Sequence, residues 1–244
     1  MYLTVLGSSG TYPAPSRPAS GYLIEHKATR VWCDAGPGTF LSLPIDTDLI
    51  SAIVISHSHL DHCLDLLAAY ASFRFGPHPR EEIRVLCPQD VVDRLLAFLG
   101  DGDSHPIHRT FRFESISDQS KTNIGDLEVQ FTSTEHSVPT VASRWEGSGR
   151  VMAYSADTGP DGGWHGIAEA ADLFVCEATF QGTEEGPGHL TAGQAGAIAR
   201  RVGAHSLMLT HIPPHLDPTR SVSDAEHVFD RPVALAVPGL RRKV

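Results

Sequence analysis

Runs of apolar residues bounded by glycine, proline and polar clusters predict short strands along the whole chain. They are "LTVLG" (3–7), "GYLIEH" (21–26), "TRVWCD" (29–34), "SAIVIS" (51–56), "EIRVLC" (82–87), "LEVQFTST" (127–134), "VMAYSAD" (151–157), "DLFVCEA" (172–178) and "HSLMLTH" (205–211). Helical patterning lies between them at 63–74, 90–99, 163–170, 191–202 and 222–229. Each half of the chain opens with strands and passes into strand–helix alternation. That order predicts a sandwich of two sheets with helices on its outer faces, rather than one doubly wound sheet. The Gly- and Pro-rich pieces 7–21, 159–163 and 182–188 read as loops of one domain spanning 1–244.

Composition adds exclusions. A chain of 244 residues, 41% hydrophobic and 20% charged, suits one layered globular domain. No apolar run is long enough to span a membrane, and "MYLTVLG" lacks the basic region and cleavage site of a signal peptide. A cytoplasmic location is the expectation. Cys33, Cys63, Cys87 and Cys176 are scattered without a C-x-x-C pair and read as small buried hydrophobes, with metal binding by Cys63 a lesser alternative. The net charge is −10 with three lysines, and the densest basic clusters are Arg200-Arg201 and Arg241-Arg242-Lys243. A protein gripping long nucleic acid carries a basic stripe, so such a partner is disfavoured. Fourteen histidines direct attention to metal chemistry.

Polar residues begin abruptly after the apolar run "LISAIVI" (49–55), in "SHSHLDHCLDL" (56–66). In extended chain, positions two apart point the same way, so His57 and His59 can share one ion. Asp61 and His62, beyond the turn, can serve a second ion nearby. Imidazole and carboxylate suit Zn, Mn or Fe. The competing reading is a polar helix start with Asp61 as N-cap. A cap needs no three histidines, and further ligand types recur after other strand-like runs or in loops: His136, Asp157, His189 and His211.

"HSHLDH" (57–62), with the later His136, Asp157 and His211 in order, resembles the metallo-β-lactamase superfamily. The resemblance runs from "VLGSSG" to "LTHIPP" and implies an αββα four-layer sandwich of the α/β class, with two divalent metal ions at one edge. Carried over, His57, His59 and His136 hold the first ion, Asp61, His62 and His211 the second, and Asp157 bridges both. "CEATF" (176–180) and "GHLTAGQAGAIA" (188–199) are similar to the ribonuclease Z and phosphodiesterase branch, in which the histidine at position 189 assists at the phosphate. "SRPASGYLI" (16–24), with "SHSHLDHCLDL" and "LTHIPP", most resembles an actinobacterial subgroup of atypical cyclic-nucleotide phosphodiesterases. Dimers are frequent in this branch, so a second copy of the chain is an expected partner by analogy.

Two divalent ions about 3.5–4 Å apart can share a hydroxide and stabilise in-line displacement at phosphorus. His189 is then the candidate acid or charge stabiliser for the leaving oxygen, and Asp61 can orient the water. Glu177, at the end of "DLFVCEA", can orient His189 or a ligand imidazole. Asp34 in "CDAGPG" can do the same, or cap a helix starting near Pro37.

Weaker signals have plainer readings. "GSSG" (7–10) lacks the following Lys-Ser/Thr of a phosphate-binding loop and reads as a turn near the substrate. Thr191 reads as an N-cap whose hydroxyl can also reach a phosphate. Trp164 and Phe73 can stack on a nucleobase, though core roles are commoner for aromatics. His26, His78, His105, His108, His165, His205, His215 and His227 read as surface or packed residues.

The transfer-RNA enzymes of the branch carry a long gripping arm between the positions of His136 and Asp157, where this chain has 20 residues. Their basic loop after the first strand is replaced by "TYPAPSRPAS", with Arg17 its only charge, and Cys176 stands where they have histidine. The expected substrate is therefore a small-molecule phosphodiester, and resemblance points to a 3′,5′-cyclic nucleotide. The alternatives are an endoribonuclease, a lactonase or thioesterase on the same metals, and a non-catalytic metal-binding accessory protein.

Overall fold

The computed structural model describes residues 1–100, 102–162 and 165–244. In chain order the strands are β1 (Tyr2–Gly7), β2 (Gly21–His26), β3 (Thr29–Cys33), β4 (Ala52–Val54), β5 (Ile83–Cys87), β6 (Phe111–Ser115), β7 (Lys121–Ile124), β8 (Leu127–Ser133), β9 (Val141–Gly147), β10 (Arg150–Tyr154), β11 (Leu173–Glu177), β12 (Leu207–Thr210), β13 (Val233–Leu235) and β14 (Arg241–Lys243). They form two seven-stranded sheets, β14-β1-β2-β3-β4-β5-β6 and β13-β12-β11-β10-β9-β8-β7. Each is mixed. Pairing is antiparallel from β1 to β3 and parallel from β3 to β6, then antiparallel from β7 to β10 and parallel from β10 to β13.

Helices cover both outer faces. They are α1 (Leu60–Cys63), α2 (Asp65–Phe75), α3 (Gln89–Leu99), α4 (Ile107–Thr110), α5 (His165–Ala168), α6 (Ala192–Arg201) and α7 (Pro218–Phe229). Residue alternation sorts the apolar side chains into three layers of contact. Val31 and Cys33 of β3 point between the sheets, where they join Leu173 and Val175 of β11. Trp32 points the other way, among Leu66, Phe73, Val91 and Leu95 of α2 and α3. Phe174 and Cys176 meet Ile198 and Ala199 of α6 and Phe229 of α7. A strand buried on both faces must be apolar at every position, which accounts for the unbroken runs in "SAIVIS" and "DLFVCEA". The expected αββα sandwich is what the chain forms.

Phe73 is a core residue, and all four cysteines are free and buried. Trp164 lies outside the described residues. Among the described residues, no helix is long and apolar enough to cross a membrane.

Several elements differ from the sequence reading. β6, β7, β13 and β14 were not expected. β7 and β14 are edge strands, and apart from the buried Ile124 their "KTNI" and "RRK" residues are exposed or half-buried, so backbone pairing rather than an apolar run defines them. α7 begins four residues before the expected 222, because Asp217 accepts from Thr219 N at 2.9 Å and Pro218 occupies the first turn. Thr191 caps α6 as expected, in a reciprocal capping box with Gln194. Asp34 caps nothing, since residues 37–42 form turns rather than a helix.

The parallel strands β3 and β4 end at the same edge, and the turns leaving them are tied together. Ala35 N donates to His62 O at 2.7 Å, and Ser20 N to Asp61 O at 3.2 Å. Gly36 permits this approach, because a Cβ there would fall 2.0 Å from Asp61 O. Gly36→Ala is expected to lower stability by about 1–3 kcal/mol, read from urea unfolding midpoints, as overpacking at a site with no room to give.

Candidate metal centre

Every ligand position predicted from sequence arrives at one edge of the sandwich. The segment leaving β4 supplies His57 and His59 and, within α1, Asp61 and His62, while Asp157 and His211 lie just past the carboxyl ends of β10 and β12. His136 comes from the loop between β8 and β9. Among the described residues three overlapping sets of donors form: His57, His59, His136 and Asp157; Asp61, His62 and His211; and Asp157, His189 and His211.

In the first set, His57 Nε2 lies 3.2 Å from His59 Nδ1, which lies 3.0 Å from His136 Nε2; Asp157 Oδ2 is 3.5 Å and 3.7 Å from the two Nε2 atoms. In the second, His211 Nε2 is 3.2 Å and His62 Nε2 3.6 Å from Asp61 Oδ2, while Asp157 Oδ1 is 3.4 Å and 3.3 Å from them. Donors about 2.0–2.1 Å from a tetrahedral ion stand about 3.3 Å apart. The two oxygens of Asp157 face different sets, the arrangement of a bridging carboxylate. His62 Nε2 and Asp157 Oδ1 are buried and have no hydrogen-bond partner among the described residues. Such orphans are costly unless something else satisfies them. The donors fit a pair of divalent ions.

Electrostatics points the same way. Burial holds the His57, His59 and His136 imidazoles below their usual pKa, leaving neutral rings with free lone pairs. Burial also opposes ionisation of Asp157 and Asp61, yet the surrounding histidines pull both carboxyls well below the usual range. At His62 and His211 burial opposes the charged form, but Asp157 and Asp61 outweigh it and raise both rings. Two buried carboxylates therefore demand positive charge, from protons or from metal in their place.

Two further carboxylates aim the rings, one at each side. Asp34 Oδ2 accepts from His62 Nδ1–H at 2.8 Å and from the Ser56 hydroxyl at 2.9 Å. With its one proton so committed, Ser56 Oγ accepts from His57 Nδ1–H at 3.0 Å. Glu177 repeats the device. Its Oε1 accepts from His189 Nδ1–H at 2.9 Å and its Oε2 from the Thr179 hydroxyl at 2.8 Å, which in turn accepts from His211 Nδ1–H at 2.9 Å. His136 Nδ1–H donates to Gly188 O at 2.9 Å. Each bond turns Nε2 of its ring towards the centre. Sequence reasoning found both carboxylates and missed the hydroxyls of Ser56 and Thr179, which no spacing marks.

Local backbone strain collects here. Asp34 (φ 58°), Ala156 (φ 51°) and His211 (φ 57°) all sit in the left-handed region where a strand end turns into the site. The "GSSG" turn supports the centre: Thr11 N donates to Asp61 Oδ2 at 2.8 Å, and a Cβ on Gly10 would fall 2.4 Å from His211 O.

His189 is a fifth of its surface exposed and packs edge-on against His136 and parallel to His211. Burial disfavours its charged form, but the hydrogen bond and charge of Glu177 prevail and push its pKa up to about 9. Beside it opens a cleft of about 300 Å³ bounded by Glu135, Pro160, Glu185, Gly188 and Gln194. Cys63 stays apart, its thiol directed at Ser58 O.

A four-layer sandwich with paired His/Asp donor sets at its strand ends defines a metallo-hydrolase class of site. Residues 29–212 match the β-lactamase superfamily domain, and the chain belongs to that superfamily. It is 32% identical over 243 residues to an uncharacterized Mycobacterium tuberculosis protein (96% of this chain, 89% of that one). It is 26% identical over 259 residues to the probable metallo-hydrolase YhfI of Bacillus subtilis (98% of each), and 28% identical over 284 residues to a ribonuclease Z of Ignicoccus hospitalis (94% of each). The crystal structure of YhfI superposes with a TM-score of 0.88 at 23% identity, covering 99% of both chains. The protein is thus a metallo-hydrolase with relatives in the ribonuclease Z branch.

Asp34→Asn and Thr179→Val are each expected to weaken divalent-ion affinity about 10- to 100-fold, measured by competition with a chromophoric chelator. Thr179→Ser, which keeps the hydroxyl, is expected to bind as the parent does.

Proposed function

We propose that this protein is a dinuclear metal-dependent phosphodiesterase that hydrolyses a small phosphodiester, a 3′,5′-cyclic nucleotide by resemblance. The observation that carries the reading is His189, locked by Glu177 and facing a small cleft directly beside the paired donor sets. In it, His57, His59 and His136 hold one ion, Asp61, His62 and His211 the other, and Asp157 both; Zn is the expected metal, with Mn and Fe also suited to the donors. Bound there, two divalent ions supply Lewis acidity and a water whose pKa falls to about 7.

The chain's own residues supply the rest. The hydrogen bond from His189 Nδ1 to Glu177 leaves Nε2 for the substrate, and the Glu177 carboxylate favours the protonated ring. As water adds to phosphorus and the P–O ester bond breaks, His189 gives its proton to the departing oxygen. Asp61, held by Thr11 N, is placed to orient the attacking water.

Two features favour a small substrate. β9 and β10 are joined by Ser148 and Gly149 alone, so this hairpin carries no arm of the kind that grips transfer RNA. The cleft beside His189 bears Glu135 and Glu185, a poor wall for a polyanion. An endoribonuclease remains the second reading, favoured by the similarity to ribonuclease Z.

The test is a substrate panel with metal-loaded protein: cyclic AMP, bis(p-nitrophenyl) phosphate, precursor transfer RNA, a lactone and a thioester. Turnover of the small phosphodiesters is expected, reduced about 10²-fold or more in Asp61→Ala and His189→Ala. Unchanged rates in both variants reject the site, and a preference for RNA or for carboxylic esters rejects the substrate class.

A further inference from the structure

Two loops that touch the metal centre from the same side are fastened to each other, and between them they hold one exposed pair of rings. The first loop follows β1. Thr11 N donates to Asp61 Oδ2 at 2.8 Å, and the next residue, with its Cα about 3.8 Å further on, is Tyr12. The second loop follows β12 and runs from the donor His211 to His215.

The fastening is extensive. Gly10 N donates to Ile212 O at 3.4 Å, and Arg17 Nη1 to Pro214 O at 3.0 Å. Within the first loop, Ala14 and Arg17 exchange backbone hydrogen bonds of 2.9 and 2.8 Å, while Ser8 N and Ser9 N both donate to Pro18 O at 3.1 Å. Pro13, Pro15, Pro18, Pro213 and Pro214 restrict the backbone further. Despite this rigidity, Tyr12 is 43% exposed and His215 is exposed as well.

The two rings are parallel to within 3°, with centroids 6.3 Å apart, and the Tyr12 hydroxyl is 3.0 Å from His215 Nδ1. Parallel planes joined by a bond of that length cannot be further apart than the bond. At that centroid distance the rings therefore lie side by side, not overlapped. Together they make a surface of two parallel rings, its orientation pinned by the shared hydrogen bond. The other exposed phenylalanine and tyrosine side chains among the described residues, Phe75 and Phe98, are at the ends of α2 and α3.

We infer that Tyr12 and His215 form a stacking platform for the base of a nucleotide whose phosphate sits at the metal centre. The inference rests on the phosphodiesterase reading above and names the part of the substrate that the donor sets do not address. Aromatic surfaces stack on any base through its π-face, so the platform selects for a planar group rather than for one base's hydrogen-bonding edge. Rigid presentation lowers the ordering cost of binding.

The experiment is calorimetric binding of 5′-AMP and of ribose 5-phosphate, which share the phosphate and sugar, to the metal-loaded protein. The parent is expected to bind 5′-AMP about tenfold more tightly, and Tyr12→Ala to remove that advantage while leaving ribose 5-phosphate affinity in place. Tyr12→Phe, which keeps the ring, is expected to retain most of it; metal content and circular dichroism verify folding of both variants. Equal affinity of the parent for the two ligands, or equal loss of both in Tyr12→Ala, overturns the platform and leaves the phosphodiesterase reading standing. A parent protein that binds neither ligand overturns both.

Discussion

The Asp157 carboxylate is the constraint around which the rest of the structure is arranged. It is fully buried, and each of its oxygens faces a different group of imidazoles. An isolated buried carboxylate would cost several kcal/mol or would take up a proton. Here the charges of His211 and His62 overcome the burial and hold it ionised. Those rings come from two different sheets, so the carboxylate can be satisfied only when the sandwich is closed at this edge. The chemistry and the tertiary fold thus depend on the same contact.

Around that centre the protein uses one device twice. A buried acid grips one imidazole directly and a second through a serine or threonine hydroxyl: Asp34 with His62 and, through Ser56, His57; Glu177 with His189 and, through Thr179, His211. Because a hydroxyl has a single proton, committing it to the acid obliges it to accept from the ring, which sets the tautomer. Glu177 also accepts from the backbone N–H groups of Thr158, Thr179 and Leu190, so its own charge is well compensated. Glu177 therefore sets the aim of both His211 in a donor set and His189 beside it.

Where these residues stand follows from the sheets. Parallel strands end together, so β3, β4, β10, β11 and β12 present Asp34, His57, Asp157, Glu177 and His211 along one rim. The chain turns sharply there, with Asp34, Ala156 and His211 in the left-handed region, each at a cost of about 1–3 kcal/mol. Elsewhere the unbroken apolar contacts between and outside the sheets support that strain.

Much of this was legible in the sequence. A strand buried on both faces has to be continuously apolar, so "SAIVIS" and "DLFVCEA" announced themselves, and the ligands followed because "HSHLDH" places several donors within one turn. Glu177 and Asp34 were visible as acids at strand ends. What sequence left undecided depends on partners far away in the chain. The edge strands "KTNI" and "RRK" carry no apolar run, with Ile124 the one core residue between them, and depend on backbone pairing with distant segments. Ser56 and Thr179 are ordinary hydroxyls until folding sets an acid on one side and an imidazole on the other. Tyr12 and His215, 203 positions apart, become one surface only after two loops are tied together. Local pattern encodes what a segment buries by itself; the direction of each polar group is decided by the group it meets, and only the closed sandwich brings the two together.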